Sequence, residues 1–406
     1  VISVEAHRAT VTALLGTGKP VRRPLAECSG LVLAEEVRAD VALPPFDNSA
    51  MDGYAVRSVD VVGATPERPV ELPVEADIPA GRTDVPALQP GTAHRIMTGA
   101  PMPPGADAVV MVEKTDGGTV TVRIEAPSSP GTHLRRTGED VAKGSLAMPA
   151  GMVLGHSQLG LAAAVGLDAL TVHAPPRVLV VSTGSELVLP PEPLRYGQIY
   201  ESNSIMLAAA MREIGCHVET VSSVADDVER FRAAVEPKLA DADLMVTSGG
   251  VSAGAYEVVK DALTGAGVEF VKVAMQPGGP QGSGRWNGVP VVTLPGNPVS
   301  VLVSFEAFLR PALLTAMGHP VVDRRQLRAR LTEPLRSPAG RRQFRRGFYT
   351  PPGDEARGAV TGEVGPRGGP GSHLLASFTQ ANCLIVLDEP ATELEQGAEV
   401  DVLMLD

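Results

Sequence analysis

Aromatic residues make up only 3% of this 406-residue chain, with a single tryptophan, and cysteine occurs three times. So few aromatic rings leave little for stacking bases, which argues against a single-stranded nucleic-acid binder. Cys28, Cys216 and Cys383 lie far apart, with no CxxC or metal-ligand spacing. Reduced thiols of a cytoplasmic protein are expected, not a disulfide framework. Positive charge is in deficit: 35 Lys and Arg against 47 Asp and Glu give a net charge of −12, which opposes general polyanion binding. No apolar run approaches the ~20 residues that a membrane helix needs. The first residues show no basic, apolar signal peptide. These shortages predict a soluble cytoplasmic protein with no nucleic-acid and no membrane partner. Any anion it handles must be held locally, by glycine amides, helix ends and a few Lys or Arg side chains.

Hydrophobic residues are plentiful at 44%, and the length suits about two to four domains. Residues 243–300 carry the most information. An apolar strand at 244–247 runs into Ser248-Gly249-Gly250-Val251-Ser252-Ala253-Gly254 and a helical run. A second strand, 268–275, leads to Gln276-Pro277-Gly278-Gly279-Pro280, and a third, 289–294, breaks at Pro295-Gly296-Asn297-Pro298 before another helix. In an open parallel sheet, ligands sit outside the carboxyl ends of the strands, where glycine turns aim backbone N–H groups and a helix dipole at an anion. One such turn is a tight βα connection as often as a site; two in one unit point to a pocket for phosphates. Thr183, Gly184, Ser248, Gly249, Gly250, Ser252, Gly296 and Asn297 are the candidate binding residues. Lys272, near a strand's carboxyl end, is a candidate anion ligand or a solvated strand lysine.

Around this core the pattern changes several times. Residues 3–15 are helical, and 47–49 (Asp47, Asn48, Ser49) form a polar turn after Pro44 and Pro45. Short strands cut by proline and glycine fill 56–138, and a helix and strand at 155–174 end at Pro175-Pro176. Alternating strands and helices from 177 onward indicate a parallel sheet covered on both faces. Five short strands after Arg324 fit a small β-barrel. Arg341, Arg342, Arg345 and Arg346 read as an exposed edge strand kept soluble by charge. The expected architecture is multidomain α/β plus β: a discontinuous N-terminal helical domain (1–24 and 139–175), a β-rich insertion (25–138), a central α/β domain (176–322) and a C-terminal β-barrel (323–406).

With these stretches assembled, the chain resembles the molybdopterin molybdenumtransferase family, that is, bacterial MoeA proteins and the E-domain of gephyrin. The matching motifs are DNSAMDGYAV (47–56), RIMTGA (95–100), GEDV (138–141), STGSEL (182–187), TSGGVSAG (247–254), LPGNPVS (294–300) and GSH (371–373). They lie in order across nearly the whole chain. The resemblance implies a central domain like that of the molybdopterin adenylyltransferases. It also implies a reaction in which adenylylated molybdopterin and molybdate give molybdenum cofactor and AMP with Mg²⁺, and a homodimer with its site between subunits. Carried onto this sequence, the functional positions are Asp52, Thr98, Asp140, Glu186, Asp226, Lys272, Pro295, Pro298, Ser300 and Ser372.

Both substrates are anions, which carboxylates repel, so Glu186, Asp226 and Asp52 are expected to act through Mg²⁺, with Glu257 a further candidate ligand. Two other roles stay open: Glu186 in the first turn of a helix, and Asp226 as the cap of a helix from Val228. Gln276 and Gly279 stand where the family often has lysines, with Arg285 as a possible replacement cation. A molybdopterin adenylyltransferase and a gephyrin-like scaffold protein are the alternatives in function.

Overall fold

A computed structural model of the chain describes residues 1–224, 227–250, 258–352 and 361–405. The first helix, α1 (Val4–Leu15), is capped by Ser3, whose Oγ accepts the Ala6 N–H at 3.1 Å. Gly16 ends it at φ +66°, a left-handed conformation that glycine adopts without strain. Val4, His7 and Val11 recur at helical spacing and are buried together on one face. After β1 (Pro20–Pro24) comes a five-stranded sheet. It holds β2 (Gly53–Val56), β3 (Val70–Ile78), β4 (Ala93–Ile96), β5 (Ala108–Met111) and β6 (Thr121–Ile124) in the order β5-β2-β4-β3-β6. Tyr54, Val56, Val110 and Ile124 form its core. The chain returns through α2 (His156–Ala164) to β7 (Ala169–His173), which pairs antiparallel with β1. Both helices expected in the N-terminal region, at 3–15 and 155–167, are present.

The central unit follows: β8 (Arg177–Thr183), α3 (Asn203–Glu213), β9 (His217–Val224), α4 (Val228–Leu239), β10 (Leu244–Ser248) and α5 (Val258–Leu263). Next come β11 (Val268–Lys272), β12 (Met275–Gln276), β13 (Pro280–Trp286), β14 (Val289–Leu294) and α6 (Pro298–Ala316). The sheet order is β9-β8-β10-β14-β13-β11. The first four strands are parallel, as expected. The last two are not: β13 runs antiparallel to both β14 and β11. Two reversals restore direction, so β11 ends at Lys272 on the same side as the carboxyl ends of the parallel strands. β13 carries Pro280, Gly282 and Gly284, poor strand formers on propensity, and for that reason reads as loop in the sequence. Its glycines are required by packing, since a Cβ on Gly284 would stand 2.1 Å from the Gly267 carbonyl oxygen.

One face of the sheet is covered by α1, α3 and α6 around Val180, Leu207, Val292 and Phe308; the other by α4 and α5 around Leu179, Phe231 and Val259. α6 corrects the expectation that no apolar run nears membrane length. It is long and apolar enough to cross a bilayer, but 72% of it is buried inside the protein, as a core helix is. Asp227, not Asp226, caps α4, accepting the Arg230 N–H at 2.8 Å.

The C-terminal strands are β15 (Gln326–Leu331), β16 (Arg342–Thr350), β17 (Gly362–Pro366), β18 (Cys383–Leu387) and β19 (Glu399–Met404). They pair in the order β16-β17-β15-β19-β18, and β18 returns to β16, closing the barrel. β12 of the central unit pairs with the start of β16. The arginine run is therefore no exposed edge: β16 is bonded on both sides, and Arg346 is 3% exposed.

His7 supplies a test of the α1 packing. Its ring meets Phe308 edge-on at 4.7 Å, neither nitrogen has a hydrogen-bond partner among the described residues, and burial pushes its pKa down to about 4. The unfolded chain takes up a proton below the ordinary value of about 6.5, whereas the folded chain does not until about 4. The stability held by the neutral ring is thus complete above that ordinary value and is lost as pH falls toward about 4. His7→Leu should remove this dependence: between about pH 8 and pH 5, wild type should lose about 2 kcal/mol more than the variant in urea unfolding. Parallel losses would show that His7 is protonated or hydrated in the fold.

Candidate active site

Two cavities flank the start of α6. The first, of about 510 Å³, opens at the carboxyl ends of β8, β10 and β14 and is walled by Thr183, Gly184, Glu186, Ser248, Gly249, Gly250, Gly296, Asn297 and Pro298. β8 is flanked by β9 on one side and β10 on the other, so the strand order reverses here, where open α/β sheets bind ligands. The second, of about 490 Å³, is walled by Lys272, the turn 276–280, Pro295, Ser300, Arg341 and residues 370–373 of the barrel unit. Gly296, Asn297 and His373 line both cavities, making them two lobes of one groove.

The glycines are fixed by contact. Gly249 and Gly250 have φ of +93° and +67°. A Cβ would meet the Thr183 carbonyl oxygen at 2.6 Å in the first case and the Val259 Cγ2 at 2.9 Å in the second. The Gly249 N–H donates to the Leu294 carbonyl at 3.1 Å, tying the two glycine turns together. That bond removes Gly249 from the amides expected to face a phosphate and leaves Gly250 and Gly296 as candidates. Around them are polar atoms with no partner among the described residues: Thr183 Oγ1, Ser248 Oγ and Asn203 Oδ1 are all buried and unbonded there. A buried polar group left unsatisfied costs about 1–3 kcal/mol, so three on one cavity wall point to a bound polar ligand. Asn203 is fixed by its other end, where Nδ2 donates to the Gly296 carbonyl at 2.7 Å.

Of the two acids on this wall, Glu201 is committed to structure. Only 2% exposed, it accepts the Ser204 N–H at 2.8 Å and the Ser204 hydroxyl at 2.6 Å, satisfying the start of α3. Glu186 is exposed and sits in a turn before a short strand, not in a first helical turn, so that alternative fails. Its carboxylate lies over Gly184, within 2.7 Å of where a Cβ would stand.

The second lobe depends on the barrel unit. Pro298 occupies the first turn of α6, where its missing N–H costs nothing. The Val299 N–H donates to the Ser372 carbonyl at 3.0 Å, docking the 370–373 loop on the helix start. That loop is held from behind by Arg346, whose guanidinium donates to the carbonyls of Arg367 (3.4 Å), Gly371 (3.2 Å) and Gly369. Lys272 and Arg341 bring positive charge to the lobe, and Gln281 braces its floor through Gly278 and Ser304.

Most positions expected from the sequence are brought together here, but not all. Asp52 and Thr98 pair with each other: Asp52 Oδ1 accepts the Thr98 N–H at 2.6 Å and its hydroxyl at 2.8 Å. These bonds hold the Asp52 carboxyl below the usual carboxylate range. Neither residue lines either lobe, nor does Asp140, whose N–H donates to the Leu43 carbonyl at 3.0 Å. Asp47 is structural, binding Arg136 and Thr137. Arg285 is no replacement cation, because it lines a different cavity with the amino ends of β10 and β14. Asp226, Ser252 and Glu257 lie outside the described residues. Sequence reasoning missed Asn203, Glu201, Arg341, Arg346 and His373. For His373 the GSH motif held the signal; for Arg346 the arginine run gave charge without burial.

Replacing Arg346 with Met should orphan three carbonyls beneath the loop. Stability should fall by about 2–4 kcal/mol in urea unfolding. A change below about 0.5 kcal/mol would mean that the loop is held by its other contacts.

Residues 2–166 match the family model "MoeA N-terminal region (domain I and II)", 179–315 the "Probable molybdopterin binding domain", and 328–405 the "MoeA C-terminal region (domain IV)". The chain is 54% identical to molybdopterin molybdenumtransferase 2 of Mycobacterium tuberculosis over 407 residues, 98% of each chain. It is 40% identical to molybdopterin molybdenumtransferase 1 of the same organism, over 99% of each. The crystal structure of a molybdopterin biosynthesis MoeA protein from Pyrococcus horikosii superposes with a TM-score of 0.85 at 32% identity, covering 100% of this chain and 99% of that one. The three domain matches in order, and identity over the full length, establish that this chain belongs to the molybdopterin molybdenumtransferase (MoeA) family.

Proposed function

We propose that the chain is a molybdopterin molybdenumtransferase: it inserts molybdenum from molybdate into adenylylated molybdopterin and releases AMP, in molybdenum cofactor biosynthesis. The observation that carries this is the groove of two lobes sharing Gly296, Asn297 and His373. The reaction needs two anions held side by side, and each lobe offers a different way to hold one. The first presents hydroxyls, an amide side chain and glycine turns, suited to a phosphorylated pterin and its adenylate. The second adds Lys272 and Arg341, suited to the small oxyanion. All three cysteines are buried and none is in a disulfide, which supports a reducing, cytoplasmic setting.

Mg²⁺ fits the first lobe by its donor set. The ion is satisfied by one or two carboxylates with water and substrate phosphates, and Glu186 offers one on the wall. Among the described residues there is no cluster of three or more His, Cys, Asp or Glu, and Asp226 and Glu257, the other candidate ligands, lie outside them. When bound, the ion would neutralise charge at the phosphates. Ser248, Thr183 and Asn203 then orient the phosphorylated end, while Lys272 and Arg341 hold the oxyanion against the Ser372 side of the groove.

Purified protein given adenylylated molybdopterin should release AMP only when molybdate is added, and should not consume ATP. Turnover of ATP without molybdate would instead identify an adenylyltransferase. Glu186→Ala should abolish AMP release without unfolding the protein. Lys272→Ala and Arg341→Ala should each raise the molybdate requirement about 10-fold or more. An unchanged requirement in both would remove the second lobe from oxyanion binding.

The proposal includes a homodimer. Asp52, Thr98 and Asp140 stand apart from both lobes in their own chain, so they serve the site if a second copy brings them to it. Mixing Asp52→Ala with Glu186→Ala protein tests this. Shared sites give each mixed dimer one intact groove, and about a quarter of wild-type activity should return. If both residues act within one chain, nothing returns.

A further inference from the structure

A third cavity, about 680 Å³ and larger than either lobe of the groove, lies at the opposite end of the sheet from the site. Its volume is within the ~300–1,000 Å³ of small-molecule pockets. The amino ends of β8, β10 and β14 form its floor, and residues 15–23 with the linker 174–176 form its wall, so it sits where the N-terminal unit meets the central one. Lys19, Arg23, Arg177 and Arg285 line it, with Asp243 as the one lining carboxylate.

In a chain of net charge −12 this is an uncommon concentration of positive charge. Two of the four cations are offset: Arg177 pairs with Asp243 at 3.3 Å, and Arg23 with Glu27 at 3.3 Å. The other two have no carboxylate partner among the described residues. Arg285 donates to the Leu14 carbonyl at 2.7 Å and the Gly288 carbonyl at 3.0 Å, which fixes its guanidinium at the cleft without neutralising it. Lys19 is exposed on the facing wall. Placing like charges across a cleft is unfavourable unless an anion enters between them. The rest of the lining is mostly apolar, with Leu15, Pro175, Pro176, Val289 and Pro290, broken by Thr17 and His217. Such a cleft suits a molecule with a charged end and a flat organic body, more than a bare inorganic ion.

We propose that this cleft is a second ligand site, taking an organic polyphosphate of mononucleotide size. Its phosphates meet Lys19 and Arg285, the two cations with no carboxylate partner among the described residues, with Arg23 drawn to them from its weak, exposed pair with Glu27, and its body lies on the proline-lined wall. The site is separate from the groove at the carboxyl ends and does not depend on the chemistry proposed there.

ATP is the probe. Equilibrium dialysis with the full-length protein should show a bound ATP that survives Ser248→Ala, in the lobe assigned to the adenylate, but weakens about 10-fold or more when Lys19 and Arg23 are both changed to Ala. Both side chains are solvent-exposed in part, so the double variant should fold; matching far-ultraviolet circular dichroism checks this. Inorganic pyrophosphate should displace this ATP, because the phosphates are the recognised end. The single tryptophan, Trp286, adjoins Arg285 in β13, so its emission should change as the site fills. Equal ATP binding by wild type and the double variant would overturn the proposal, as would pyrophosphate failing to compete.

Discussion

The hydrogen bond from the Val299 N–H to the Ser372 carbonyl is the joint on which the groove depends. It ties the first turn of α6, in the central unit, to a loop of the barrel unit. Without it Ser372 and His373 have no reason to stand beside Pro295 and Asn297, and the second lobe has no far wall. Elements on both sides support this one contact. On the helix side, Pro298 sets the backbone of the first turn in advance. On the barrel side, Arg346 gathers three carbonyls of the loop under a buried guanidinium. β12, pairing with β16, anchors the Gln276 turn to the same strand that carries Arg346. The active groove is therefore an inter-domain construction within one chain.

Electrostatics explain why the groove is built mainly of neutral donors. An acidic protein repels both an oxyanion and a pyrophosphate at long range, though screening limits this to about 8–10 Å at ordinary salt. Inside the groove, unbonded hydroxyls at Thr183 and Ser248 become strong partners once water is excluded. Positive charge is added sparingly, by Lys272 and Arg341 in the lobe assigned to the small oxyanion. Gln276 and Gly279, in the turn that walls this lobe, add no charge to it. Arg341 comes from the barrel, and so part of the remaining charge rides on the inter-domain joint.

Much of this was legible in the sequence, for identifiable reasons. The parallel strands 177–183, 244–248 and 289–294 are short apolar runs ended by glycine or proline, a pattern that both burial on two faces and the βα turn impose. The carboxyl-end position of their glycines then located the groove. What failed was whatever depended on partners distant in sequence. β13 was hidden because its glycines answer to Gly267 and Phe270 across the sheet, not to strand propensity. Arg346 looked like surface because its acceptors are carbonyls of a loop 21 to 25 residues away. Arg285 looked like a site cation because the antiparallel turn of β13, which carries it to the far end of the sheet, could not be foreseen.

The same antiparallel turn separates the molecule into two electrostatic ends. β11 and the parallel strands deliver Lys272 and the glycine turns to one end, while β13, running the other way, delivers Arg285 to the other. The N-terminal segment closes over that far end: the Gly18 N–H bonds the Ala316 carbonyl at 2.7 Å, at the last turn of α6. α6 thus begins at the groove and ends beside the basic cleft, with its middle packed against α1 through Phe308 and His7.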